Sequence, residues 1–228
     1  RKRENIGYAA TLAFKPEEVK AIWGVRKAGL GLLLGMKGDK KPIAFVEDTA
    51  VAPDKLPEFI RRFREVVSRH DTIAGYYGHC SVGCMHIRPL INLKDESEKA
   101  KMVSIANAIS DLVLEFNGAM SGEHGDGLAR SHFNAKLFGP ALYDVFRQIK
   151  RAFDPRNLMN PCKIVDAPAM TESLKISPQY KPWEPRTTLD FAGQGGFAHA
   201  VEMCSGMAEC GKKVDGTMCP WYMGTLHE

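Results

Sequence analysis

Two glycine-fenced clusters hold side chains able to do chemistry. In Ser121-Gly-Glu-His-Gly-Asp-Gly-Leu-Ala-Arg-Ser131, Glu123 and His124 stand side by side among Gly122, Gly125 and Gly127. Glycines at that density bury no side chain and lose backbone entropy on folding, so they suit a sharp turn or a close approach. In Gly78-His-Cys-Ser-Val-Gly-Cys-Met-His-Ile-Arg-Pro89, His79 and His86 flank a tight segment that contains Gly83. If Tyr76 to His79 ends one strand and Met85 to Arg88 begins the next, the turn brings both imidazoles to one end of a sheet. Two imidazoles and the Glu123 carboxylate form a His2Glu set suited to a divalent ion such as Zn, Mn or Fe, with positions left open for a substrate. His124 then remains available for proton transfer. On the residues alone, a metal or substrate site and a polar loop with incidental histidines both stay open.

The elements that must position these residues are legible in the apolar spacing. Leu56, Phe59, Ile60, Phe63, Val66 and Val67 follow helical periodicity after the turn signal Ala52-Pro53-Asp54. Met102, Ile105, Ile109, Leu112, Val113 and Phe116 repeat the pattern, as do Leu137, Phe138, Leu142, Val145, Phe146, Ile149 and Phe153. A further helix begins near Pro16-Glu17-Glu18 and passes through Ile22, Trp23 and Val25. Pro42–Glu47, Thr72–Tyr77 and Met85–Arg88 are the strand candidates. With no Rossmann glycine fingerprint, this pattern predicts an α+β fold, a mostly antiparallel sheet covered by helices. Prolines and glycines then crowd residues 166–198, which reads as an extended linker, and residues 199–228 form a last segment.

Composition excludes some partners. At 228 residues, 44% hydrophobic and 25% charged, the chain is long enough for one sizeable core. A net charge of +4, without a basic block interleaved with aromatics, argues against nucleic acid. No apolar run approaches the ~18–20 residues of a membrane helix. Six scattered cysteines are too few for a disulfide scaffold and suggest a reducing compartment. The expected location is cytoplasmic, at most peripheral to the inner face of a membrane. The opening Arg1-Lys-Arg3, without an initiator Met, reads as a cut inside a longer protein.

Together, Gly78–His86, Ser121–Ser131 and Phe153-Asp-Pro-Arg-Asn-Leu-Met-Asn-Pro-Cys-Lys-Ile164 resemble the C-terminal domain of FAD-linked oxidases in the vanillyl-alcohol oxidase superfamily. The resemblance spans about residues 15–165, and its nearest branch handles D-lactate, glycolate and D-2-hydroxyglutarate. The family forms are G-H-x-G-D-G-N-x-H, G-E-H-G-x-G and F-D-P-x-x-x-x-N-P-G-K. The resemblance implies that His79, His86 and Glu123 hold a divalent metal and that His124 is the substrate-contacting acid/base. It further implies that Arg26 grips the substrate carboxylate and that Asn160 approaches the flavin. There are departures. Ser81-Val-Gly-Cys84 replaces the usual Asp-Gly-Asn, so an expected substrate-contacting Asn is Cys84, and Cys162 stands where the family has Gly. A substrate-binding Lys of some members is absent from Ala44–Asp48, and Arg88 is a candidate compensating contact to the carboxylate.

The implied activity is oxidation of a D-2-hydroxy acid, D-2-hydroxyglutarate or D-lactate, with hydride transfer to FAD and onward transfer to a quinone or another carrier. FAD is expected mainly on a separate N-terminal domain, so the segment alone should turn over little. Cys204, Cys210 and the Cys219-Pro220 pair resemble the start of a ferredoxin-like module, with three thiolates where a 4Fe-4S cluster wants four. A metal-dependent hydrolase using the same His2Glu set, or a non-catalytic domain, are the alternatives. The hydrolase reading does not account for Asn160-Pro161 or the terminal cysteines.

Overall fold

A computed structural model describes residues 11–204 and residue 211. Cys210 and Cys219 lie outside the described residues, while Cys204 is exposed. The chain divides into two units, Arg1–Met36 with Ala200–Glu228, and Lys37–His199. Residues 166–199 fall in the larger unit. No described helix is long and apolar enough to cross a membrane.

In the smaller unit the described element is α1 (Pro16–Leu34). Pro16 opens it without sacrificing a helical hydrogen bond, and the Glu18 carboxylate accepts the Lys15 N–H at 3.3 Å. Its apolar residues Ile22, Trp23 and Val25 are exposed, and none of its residues is buried.

The larger unit is built around one strand. β1 (Lys41–Pro42), β2 (Asp48–Ala50), β3 (Ala74–His79) and β4 (Cys84–Ile91) form a wholly antiparallel sheet centred on β4. Two helices, α2 (Leu56–Arg69) and α3 (Glu96–Glu115), cover one face. α2 buries Leu56, Phe59, Phe63 and Val67, one stripe at helical spacing, and α3 answers with Met102, Ile105, Ile109 and Val113. Phe59 meets Phe63 and Phe116 edge-on, at ring separations of 5.9 and 5.4 Å. α3 starts where the Asp95 carboxylate accepts the N–H groups of Ser97 and Glu98. Met85, Ile87 and Ile91 of β4 join this core, so the alternate residues Cys84, His86 and Arg88 face the opposite side. The mixed helix and antiparallel sheet is the α+β architecture expected.

One expectation needs correction. Pro42–Glu47 is not one strand. Six steps of chain from Pro42 to Asp48 lie opposite four from Leu90 to His86, so β1 and β2 are separated by a two-residue bulge. The periodicity from Leu137 to Phe153 does mark a helix, although its apolar stripe is not buried. α4 (Gly127–Arg130) leads to α5 (Asn134–Phe153), which is interrupted at Gly139, with φ 75°, before Pro140. Asn134 is its one buried residue, and Phe138, Leu142, Val145, Ile149 and Phe153 are exposed among the described residues. Beyond α5, Val165 and Met170 are buried and Leu174 packs on the core, so the start of the expected linker is anchored.

Candidate active site and metal centre

The pleat assembles the site. Directly opposed residues of antiparallel strands share a face, and Asp48, His86 and Tyr77 are opposed across β2, β4 and β3. Ala50, Cys84 and His79 form the next row. His79 and His86 therefore emerge on one face at neighbouring positions, with ring centroids 5.3 Å apart. The reversal between their strands is tight enough to need Gly83. Its φ is 73°, and a Cβ there would fall 1.8 Å from the Val51 carbonyl oxygen.

Asp48 draws the Glu123–His124 loop onto this face. Its Oδ2 accepts from the Ser121 hydroxyl at 2.7 Å, the Glu123 N–H at 3.0 Å and the His124 N–H at 2.7 Å. The Gly122 N–H donates to the Asp48 carbonyl at 2.7 Å. Gly122 fits closely there, since a Cβ would come within 3.0 Å of both the Ala50 Cβ and the Cys84 sulfur. The space it leaves is thus filled by protein, whereas Gly125 and Gly127 adopt left-handed backbone, and a Cβ on either would have nothing within 4 Å. Burial opposes ionisation of Asp48, but the donors of His124, Ser121 and Glu123 outweigh it and hold the carboxyl at about 2. Burial, reinforced by neighbouring Asp48, pushes the Cys84 thiol up to about 12, so it remains a neutral donor toward Asp48 Oδ1.

Glu123 Oε1 lies 3.0 Å from His86 Nε2, 3.3 Å from His79 Nε2 and 3.5 Å from His124 Nε2. Burial holds His86 below its ordinary pKa against the pull of Glu47, which keeps a lone pair available for coordination. Its Nδ1 is buried without a hydrogen bond. Three imidazole nitrogens crowd one carboxylate oxygen, and a cation among them would turn lone-pair repulsion into coordination. Potential ligand atoms of Asp48, Cys84, His86 and Glu123 lie within 4.8 Å of one another, as do those of Glu47, His86 and His124. The donor chemistry therefore fits a divalent ion. His79 belongs to neither of these two groups, although it touches Glu123.

Glu47 and Asp48 were not singled out from the sequence. Alternation assigns consecutive strand residues to opposite faces, yet the bulge lets both acids reach His124. Two adjacent acids directly after the apolar run Ile43–Val46 were the available signal, since buried carboxylates need partners. Glu47 is 2% exposed and accepts from Arg88 Nη2 at 3.1 Å and from the Tyr77 hydroxyl at 3.4 Å. Arg88 thus faces a protein carboxylate, and its Nε also donates to the Tyr77 hydroxyl.

The other predicted residues lie on other elements. Arg26 is on α1 of the smaller unit. Asn160 is exposed after α5, in left-handed backbone with φ 47°. Cys162 has φ 63°, so the position retains the conformation that glycine favours. Asp154 organises the Asp-Pro segment by accepting the N–H groups of Leu158 and Met159 at 2.9 and 2.8 Å.

Known proteins resemble the chain along most of its length. It is 40% identical over 146 residues to a D-2-hydroxyglutarate dehydrogenase of Haemophilus influenzae, covering 64% of this chain and 14% of that protein. It is 34% identical over 224 residues to a D-2-hydroxyglutarate dehydrogenase of Pseudomonas putida, covering 97% of this chain and 22% of that protein. A D-lactate dehydrogenase of Archaeoglobus fulgidus is 30% identical over 158 residues, 69% of this chain and 33% of the relative. The chain therefore spans well under half the length of these curated relatives. The family model for FAD linked oxidases, C-terminal domain, matches residues 2–164, and the chain belongs to that family.

Proposed function

We propose that this segment is the substrate-binding part of a flavin-dependent dehydrogenase that oxidises a D-2-hydroxy acid, D-2-hydroxyglutarate or D-lactate, to the 2-oxo acid. The observation that carries this reading is the convergence of His79, His86 and Glu123 beside His124. When bound, FAD supplies the hydride acceptor, and a divalent ion held by His79, His86 and Glu123 supplies a Lewis acid toward the substrate hydroxyl and carboxylate. FAD is carried mainly by residues outside this segment, with Asn160 as a contact. His86 is buried and His79 is given to the metal, so proton transfer is assigned to the half-exposed His124. His124 Nε2 takes the hydroxyl proton. Loss of that proton and of the C2 hydride leaves the 2-oxo acid, which balances the two-electron reduction of the flavin.

Arg26 is assigned to the substrate carboxylate, for which a guanidinium offers paired donors. Arg88 contributes a second positive charge, tempered by Glu47. The spacing of the C-terminal cysteines supports onward electron transfer through an iron–sulfur module to a quinone or another carrier, with Cys204, Cys210 and Cys219 among its ligands. Full-length protein loaded with FAD should lose its oxidised flavin absorbance on anaerobic addition of D-2-hydroxyglutarate or D-lactate and then reduce a dye. If neither acid, nor any other D-2-hydroxy acid, bleaches the flavin, the assignment fails.

A further inference from the structure

Glu47 is a buried carboxylate with four partners on the site face, and the roles given to the surrounding residues leave it without one. Its Oε2 lies 3.0 Å from His124 Nδ1. Its Oε1 accepts from Arg88 Nη2 at 3.1 Å and from the Tyr77 hydroxyl at 3.4 Å, and lies 3.5 Å from His86 Nδ1. Paired with the Arg88 guanidinium, the Glu47 carboxylate is placed to accept from the Nδ1–H tautomer of His124. In the neutral ring, the lone pair then sits on Nε2. That nitrogen is the one near Glu123 Oε1, at 3.5 Å.

Two further constraints keep the imidazole in this pose. The His124 N–H is tied to Asp48, and the ring stacks on His86 with centroids 4.8 Å apart and planes 6° from parallel. Arg88 and Tyr77 in turn hold Glu47. Arg88 Nε donates to the Tyr77 hydroxyl at 3.1 Å, closing a ring of contacts behind the carboxylate.

Resting on the assignment of His124 as proton acceptor, we propose that Glu47 is a positioning residue that orients His124 and fixes its proton on Nδ1, leaving Nε2 to receive the substrate hydroxyl proton. A carboxylate behind an imidazole selects both tautomer and ring angle. The same geometry gives Arg88 a purpose within the protein as well: it anchors Glu47.

The test is a double-mutant cycle in the FAD-loaded full-length protein, reading the rate of anaerobic flavin bleaching at saturating D-2-hydroxyglutarate or D-lactate. Glu47→Gln should slow bleaching at least about tenfold, the lower range for a displaced general base, with substrate affinity changed less than about threefold. On a His124→Asn background the same change should slow bleaching less than about threefold, because its effect runs through the imidazole. Metal content should match the wild type. Equal losses on both backgrounds would mean that Glu47 acts independently of His124 and would overturn the proposal. Loss of metal from Glu47→Gln would overturn it in favour of a ligand role. If Glu47→Gln does not fold, Glu47→Asp, which keeps the charge on a shorter arm, is carried through the same cycle with the same criteria. Failure of the wild-type flavin to bleach would instead refute the dehydrogenase assignment itself.

Discussion

Replacing Asp48 with Asn tests whether a charge holds the Glu123–His124 loop. One Asp48 oxygen accepts three hydrogen bonds, from Ser121, Glu123 and His124. Against the cost of burial, these donors bring its pKa from the ordinary 3.8 to about 2. That difference corresponds to ~2.4 kcal/mol, or roughly 60-fold in an equilibrium. Glu123 and His124 have half-exposed side chains, and screening at that edge reduces the expected effect to about 1–2 kcal/mol. In full-length protein carrying Asp48→Asn, the Glu123 and His124 amides should exchange with deuterium about five- to thirtyfold faster at neutral pH. A depressed folded pKa stabilises above the unfolded value and is lost as pH falls through the folded one. The gap between variant and wild type should therefore be complete at neutral pH and close between pH ~4 and ~2. Unchanged exchange at neutral pH, or a gap that widens on acidification, would refute the reasoning.

Two further substitutions probe the metal set and the turn. Glu123→Gln removes the carboxylate charge on which the imidazoles converge and should strip the divalent ion; elemental analysis showing wild-type metal content would sink that assignment. Gly83→Ala places a methyl group against the Val51 carbonyl in a left-handed conformation. It should destabilise the domain by about 3 kcal/mol or more, read as a lowered denaturation midpoint, and an unchanged midpoint would contradict the geometry.

The helix stripes of α2 and α3 were legible because each presents a single apolar face to one core. α5 carries a similar period without a buried face, and periodicity alone cannot distinguish a stripe facing the core from one left exposed. His79, His86, Glu123 and His124 could be picked out from residue type and glycine fencing. The hairpin of β3 and β4 that brings His79 beside His86 was legible too, whereas the arrival of the Glu123–His124 loop depends on Asp48, a tertiary contact with no local pattern. Glu47 and Asp48 were missed for a related reason: alternation separates neighbours, and a bulge suspends alternation. The expected close approach at Gly122 is real, but Ala50 and Cys84 occupy it, a tertiary fact with no local signature.

The bulge between Pro42 and Asp48 also divides labour within the sheet. Along its other edge, β4 is held to β3 by six consecutive pairs, from Ala74–Pro89 to His79–Cys84. Its register is therefore secured independently of the segment that bears the acids. Chain length near Glu47 can change without slipping His86 of β4 against His79 of β3, so the acidic partners can be retuned while the core and the imidazole rows stay put. The acids are adjustable fittings on a fixed wall.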